Sequence, residues 1–172
     1  LILVELDEKP RILSLIDKRT QVDYAYSQPL GLFDLITEDN PKGMTAWIVG
    51  NTSNIAHLND GCVKINKVSN SSLLNNFISY SFSFGNGSSM ELKISLEKEK
   101  SFISYDIDCM WQEIGNETSG VPQLRFNVPV GYKIRNFVYG APLGLINRPA
   151  LTHDVPSLDL AIAKNENGKS LA

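Results

Sequence analysis

Cysteine is scarce in this chain, with two in 172 residues. Cys62 and Cys109 lack any metal-ligand spacing, and two thiols build no disulfide framework. Long apolar runs are missing too. None approaches the ~18–20 residues that a spanning helix needs, so no membrane contact is expected. Charge of one sign is also lacking, since the net charge is −3. Without a basic face a phosphate backbone finds no complement, which argues against nucleic acid as a partner. Twelve glycines and eight prolines are too few and too irregular for collagen or low complexity. Helical periodicity is absent as well, because no stretch keeps apolar residues at i, i+3, i+4 and i+7.

What the sequence has is period two. Ile78, Tyr80, Phe82 and Phe84 fall on one face of a strand, with Ser79, Ser81 and Ser83 on the other. Gly85-Asn-Gly-Ser-Ser89 follows, and then Met90, Leu92, Ile94 and Leu96 alternate with Glu91, Lys93, Ser95 and Glu97. Two amphipathic strands about a Gly/Asn turn predict a hairpin. Ile103, Tyr105, Ile107 and Cys109 repeat the pattern, which extends it to a three-strand meander. Further strands are predicted near 1–6, 11–16, 30–36, 46–50, 62–68, 123–128, 134–140, 143–147 and 155–163, with prolines at or near their edges. About a dozen short strands without helices predict an all-β, antiparallel β-sandwich with little or no helix. The length suits one domain with a core, burying roughly 70% of the unfolded surface. Residues 51–61 and 114–122 are the longest irregular pieces, where a ligand is most naturally met. Both ends read as cuts: the chain opens inside an apolar alternation at Leu1–Leu6 and stops at Ala172 as another begins. Residues 1–172 are therefore expected to be a single domain, a truncated fragment of a larger protein.

No residue pattern declares a self-sufficient active site. Asp106 and Asp108 share one strand face, about 6.5–7 Å apart along it, and project in parallel. A glycosidase pair must flank the scissile bond, so a solvated strand face is the better reading. Glu113 and Glu117, in a turn-rich segment after Trp111, read as surface residues. His57 with Asp60, and His153 with Asp154, lack a third ligand nearby, whereas zinc takes three or four. No serine sits in Gly-x-Ser-x-Gly, and Gly85-Asn-Gly87 joins two strands without opening a helix, so it is no phosphate loop. Trp47 and Trp111 are the aromatic candidates for stacking on a sugar ring, although core burial competes for Trp47.

Several segments together resemble the C-terminal β-domain of glycoside hydrolase family 38, the zinc-dependent α-mannosidases. They are Arg11-Ile-Leu-Ser-Leu-Ile-Asp-Lys-Arg-Thr20, Glu38-Asp-Asn-Pro-Lys-Gly-Met-Thr-Ala-Trp47, Ser89–Leu96, Ile107-Asp-Cys-Met-Trp-Gln-Glu113, Leu124-Arg-Phe-Asn-Val-Pro129, and Pro142-Leu-Gly-Leu-Ile-Asn-Arg-Pro149 with Val155-Pro156. They run in family order over about residues 1–168, although Leu158-Asp-Leu160 replaces the aromatic usual after Val-Pro. The resemblance implies a sandwich of the galactose-mutarotase-like super-sandwich type. It also implies that catalytic and helical domains of the parent enzyme are the partners, with an α-mannoside reached through them. The family's zinc site (a His-x-Asp pair, an Asp nucleophile and a distant His) lies in those preceding parts, and no His-x-Asp occurs here. No catalytic residue, metal ligand or cofactor is thus expected in this chain, and zinc is expected in the parent. In such enzymes loops of the β-domain can complete the sugar pocket, which makes Phe33, Asp39 and Trp47 the substrate-facing candidates. Core packing of Phe33 and solvation of Asp39 are the competing readings. A free-standing carbohydrate-binding module is the alternative. A bacterial cytoplasmic location is expected, and a homo-oligomer is compatible with the sequence.

Overall fold

The computed structural model describes residues 2–25, 27–39, 50–61, 63–70 and 76–172. Fourteen strands run through these residues: β1 (Ile2–Leu6), β2 (Ile12–Asp17), β3 (Val22–Asp23), β4 (Leu32–Glu38), β5 (Thr52–His57), β6 (Val63–Ser69), β7 (Asn76–Phe84), β8 (Ser88–Leu96), β9 (Ser104–Met110), β10 (Val121–Asn127), β11 (Asn136–Ala141), β12 (Gly144–Pro149), β13 (Ala161–Lys164) and β14 (Ser170–Leu171). Among the described residues the one helical element is a 3-10 turn at Leu58–Asp60. The strands form four sheets of order β1-β2-β3, β10-β4-β5, β12-β11-β13-β14 and β6-β7-β8-β9. The strand pairings given for these sheets are all antiparallel. The molecule is an all-β antiparallel sandwich.

The expected meander is β7-β8-β9. Alternation decides its faces: Tyr80, Phe82 and Phe84 of β7 and Met90, Leu92 and Ile94 of β8 are buried, while Ser83, Glu91 and Lys93 are exposed. These six side chains pack with Phe33 of β4 and Leu58 into the main core, against which Leu35 of β4 and Leu124 of β10 also lie. Sheet β6-β7-β8-β9 thus faces sheet β10-β4-β5 across an apolar layer. Each fully buried aromatic or aliphatic side chain contributes about 1.5–3 kcal/mol through area removed from water. A second cluster, Ile12, Leu15, Ala25 and Leu30, is joined to the first through Leu6, Ile103 and Tyr105, which pack against both.

The hairpin between β7 and β8 closes through three residues, because Phe84 pairs with Ser88. Gly85 and Gly87 take positive φ of 54° and 103° there, conformations that a side chain disfavours. Gly85 has a second reason to lack a side chain, since an added Cβ would stand 2.1 Å from Glu113 Oε1.

Three expectations about elements change. Residues 51–61 are not a loop: they form β5 and the 3-10 turn. All six β5 residues are exposed, and the strand pairs with β4 at the edge of its sheet. Edge pairing through the backbone needs no apolar alternation, so the sequence carried no signal. The strand expected at 155–163 shortens to Ala161–Lys164. Before it, Leu158 N–H donates to Gly140 O and Gly140 N–H to Leu160 O, a close backbone approach that a Cβ on Gly140 would obstruct, 2.3 Å from Asp159 Oδ1. Ile107 does not share the partial burial of Tyr105 and Cys109 on its face of the strand. It is 45% exposed because β9 is an outer strand of its sheet. Of the strand expected at 46–50, residues 46–49 lie outside the described residues, and Gly50 is not in a strand.

Candidate functional site

Polar side chains gather on sheet β10-β4-β5. Register places Arg125 of β10 opposite Asp34 of β4, and Asp34 opposite His57 of β5. Residues paired in this way have neighbouring Cβ atoms on one face, so the three form a row across the sheet. Asp34 Oδ1 lies 2.7 Å from His57 Nδ1, and Asp34 Oδ2 accepts from Asn127 Nδ2 at 2.8 Å. A carboxylate accepts, so Nδ1–H of the largely exposed ring is the donor in this contact. Arg125 turns to Asp154 instead, Nη2 to Oδ2 at 3.4 Å.

Four residues further along β4 is a buried carboxylate. Glu38 is 2% exposed; its Oε1 accepts from Gly50 N–H and its Oε2 from Gln123 Nε2. Asp39 continues the clamp. Its N–H donates to Asn51 O at 2.9 Å, and its Oδ1 accepts from Asn51 N–H at 2.8 Å. Gly50 and Gly120 permit this packing, because a Cβ on either would fall 2.0 Å from Asp39 O or 2.4 Å from Glu38 O. Two adjacent acidic residues therefore bind two adjacent residues, Gly50 and Asn51, each twelve positions further along the chain.

The sequence candidates fare differently. Phe33 is 1% exposed, with its ring centroid 5.0 Å from that of Phe126 and 6.1 Å from that of Phe82. A stacking platform needs an open face, so the structure corrects this candidate: Phe33 is a core residue. Its β4 position turns it inward opposite the side that carries Asp34. Asp39 is partly exposed in the clamp. Trp47 lies outside the described residues. Asp106 and Asp108 are exposed, Asp106 facing Lys93 Nζ at 3.6 Å. His57 turns to Asp34, while Asp60 pairs with Lys9 at 2.6 Å, so those two do not converge. Among the described residues no group of three or more His, Cys, Asp or Glu could hold a metal ion.

Glu113 corrects the surface expectation. It is 8% exposed and accepts from Asn86 N–H at 2.7 Å, Asn86 Nδ2 at 3.0 Å and Ser88 Oγ at 2.7 Å. The Ser88 hydroxyl first, then the Asn86 N–H, hold its carboxyl below its ordinary value against the opposing effect of burial. Asn59 is another residue that sequence reasoning missed. It is 4% exposed, accepting from Phe33 N–H at 2.5 Å and donating to Pro10 O at 2.7 Å. No local signal marks either residue, because each partner lies 25 or more positions away in sequence.

The fold defines a class, an all-β antiparallel sandwich domain. The particular family follows from comparison. A model of the family described as "Glycosyl hydrolases family 38 C-terminal domain" matches residues 1–163, and the chain belongs to that family. It is accordingly a domain of a family 38 glycoside hydrolase. No curated protein matches it. Among the described residues no helix is long and apolar enough to cross a membrane.

Proposed function

We propose that this chain is the non-catalytic C-terminal β-domain of a zinc-dependent, retaining α-mannosidase. The family match over residues 1–163 carries the reading. In the parent reaction a carboxylate attacks the anomeric carbon and a second carboxyl group protonates the leaving oxygen. Both groups, and the zinc that orients sugar hydroxyls, belong to the preceding parts of the parent. The β-domain packs against those catalytic and helical parts and helps to close the sugar pocket, with Asp39 accepting a hydroxyl and Trp47 meeting the ring. Glu38 and Asp39, bonded to Gly50 and Asn51, fix the start and the end of the segment between them. The unpaired Cys109 thiol is in keeping with a reducing bacterial cytoplasm.

The test is an aryl α-mannoside assay with added zinc on the 172-residue chain and on the whole enzyme. Turnover by the whole enzyme alone is expected. Turnover by the isolated chain well above buffer overturns the non-catalytic role, and a whole enzyme that ignores α-mannosides overturns the substrate.

A further inference from the structure

Two Asn-Gly pairs stand in turns of this fold, Asn86-Gly87 between β7 and β8 and Asn167-Gly168 between β13 and β14. Such a pair is where a chain can cyclise on itself, because a glycine nitrogen has no neighbouring Cβ to keep it from the asparagine side-chain carbon. Both asparagines are exposed, and both glycines have positive φ, 103° at Gly87 and 80° at Gly168. Exposure and turn conformation therefore do not separate the two pairs. Hydrogen bonding does. Asn86 Nδ2 donates to Glu113 Oε2 at 3.0 Å, and Asn86 N–H donates to Glu113 Oε1 at 2.7 Å. Glu113 is itself held by Ser88, which is 1% exposed. Swinging the Asn86 carboxamide toward the Gly87 nitrogen thus breaks a charge-assisted hydrogen bond.

In the second turn the restraint falls on Asn165 instead. Its Oδ1 accepts from Asn167 N–H at 2.9 Å and from Lys169 N–H at 2.8 Å, and its own N–H donates to Lys169 O at 3.0 Å. Among the described residues neither the Asn167 carboxamide nor the Gly168 N–H has a hydrogen-bond partner. The bend is held around them while nucleophile and electrophile both stay free.

We propose that Asn167 is a site of spontaneous covalent modification, deamidating through a succinimide to aspartate and isoaspartate, while Glu113 protects Asn86. The Gly168 nitrogen gives its proton to solvent and bonds to Asn167 Cγ. The Cγ–Nδ2 bond then breaks, and Nδ2 takes a proton from water and leaves as ammonia. Water opens the ring in one of two ways. Breaking the bond from Cγ to the Gly168 nitrogen gives aspartate; breaking the one from the Asn167 main-chain carbonyl carbon gives isoaspartate. Water is the co-reactant, and nothing is oxidised or reduced. Isoaspartate adds a methylene to the main chain between the Asn167 and Lys169 N–H groups, the two donors that Asn165 Oδ1 spans. The cap must then release one of them. Beyond it β14 pairs with β13 only at Ala163–Leu171 and Lys164–Ser170, and Leu171 packs against the cluster of Ile12, Leu15, Ala25 and Leu30. Modification at Asn167 therefore loosens β14 and its cover over that cluster.

The experiment incubates the 172-residue chain at mildly alkaline pH in heavy-oxygen water, native and in urea. Both pairs are followed by peptide mass spectrometry with fragmentation that separates aspartate from isoaspartate. In the native chain Asn167 is expected to take up solvent oxygen, with Asn86 slower by about tenfold, the effect of one hydrogen bond to a charged group. In urea the two should react at similar rates, since their folded surroundings are gone. Glu113→Ala should raise the Asn86 rate toward that of Asn167, with amide dispersion reporting that the variant folds; the native-against-urea comparison tests the same protection without a variant. The modified chain should lose hydrogen-exchange protection at Lys169 N–H. Asn167→Asp, which adds the charge without lengthening the main chain, should keep it. An Asn167 that stays intact in the native chain overturns the site. Equal native rates at Asn86 and Asn167 overturn the protection, and a Lys169 N–H still protected after isoaspartate forms overturns the loosening of β14.

Discussion

At the scale of single residues, the informative groups are carboxylates that the fold has given donors. Asp34 joins His57 to Asn127 and so, in the neutral ring, places the proton on Nδ1. Asp34→Asn can turn an NH2 toward the ring, and the expected outcome is a switch of the His57 proton from Nδ1 to Nε2, read from imidazole nitrogen shifts. Glu113 carries a pH dependence. Its lowered pKa means that it contributes stability above its ordinary value of 4.5, lost as pH falls through the lowered value. Glu113→Gln should therefore be less stable near neutrality and show a flatter decline with acid, measured by urea denaturation across pH 2–7 (about that range, chosen to span ordinary carboxylate titration). Tyr80 has the opposite sign at the other end of the scale. Burial first, and Asp7 second, push its phenol up to about 12. Its contribution is complete below the ordinary value of 10.0 and fades as pH rises toward 12.

At the scale of elements, the two facing sheets meet through a few large side chains, and Phe33 is the pivot of β4. Phe33→Ala should cost about 3–5 kcal/mol, the usual price of a large aromatic cavity, measured by chemical denaturation. Ile55 of β5 sits on the edge strand and is 50% exposed, so Ile55→Thr should stay within about 0.5 kcal/mol. The contrast between these strands explains which were legible. β7 and β8 announce themselves by alternation because one face of each is buried throughout. β5 is hidden because pairing with β4, rather than a buried face, makes it a strand. The β4 clamp was half legible: the family resemblance pointed to Asp39 as a substrate-facing candidate, but nothing local marked Glu38 as buried beneath Gly50 and Gln123. Glu38→Ala removes the acceptor of two distant donors, one of them a backbone N–H. Its expected cost is about 1–3 kcal/mol by denaturation.

At the scale of the whole molecule, Asp17, Asp23 and Glu113 all have pKa values below their ordinary ones. The Arg19 side chain is the chief cause at Asp17. At Asp23 burial opposes the shift, and the Leu15 and Ala25 N–H groups with the Ser14 hydroxyl outweigh it. All three signs agree, so the chain should lose stability progressively as pH falls below the ordinary carboxylate range near 3.8–4.5. A calorimetric midpoint that is flat or rises on acidification there would contradict this set of contacts. The strand class of the molecule was already determined by the sequence, because period-two alternation along β7 and β8 has one low-energy outcome, a sheet with one dry face. The absence of a His-x-Asp pair is equally read from the sequence itself. Only tertiary structure decided that Phe33 turns into the core, that Glu113 is an anchor rather than a surface charge, and that Trp111 lies against Phe84. Each of these depends on partners 25 or more positions away, such as Ser88 for Glu113 and Phe82 for Phe33. Side-chain fate there follows from which strands meet, and alternation along one strand carries no information about that meeting.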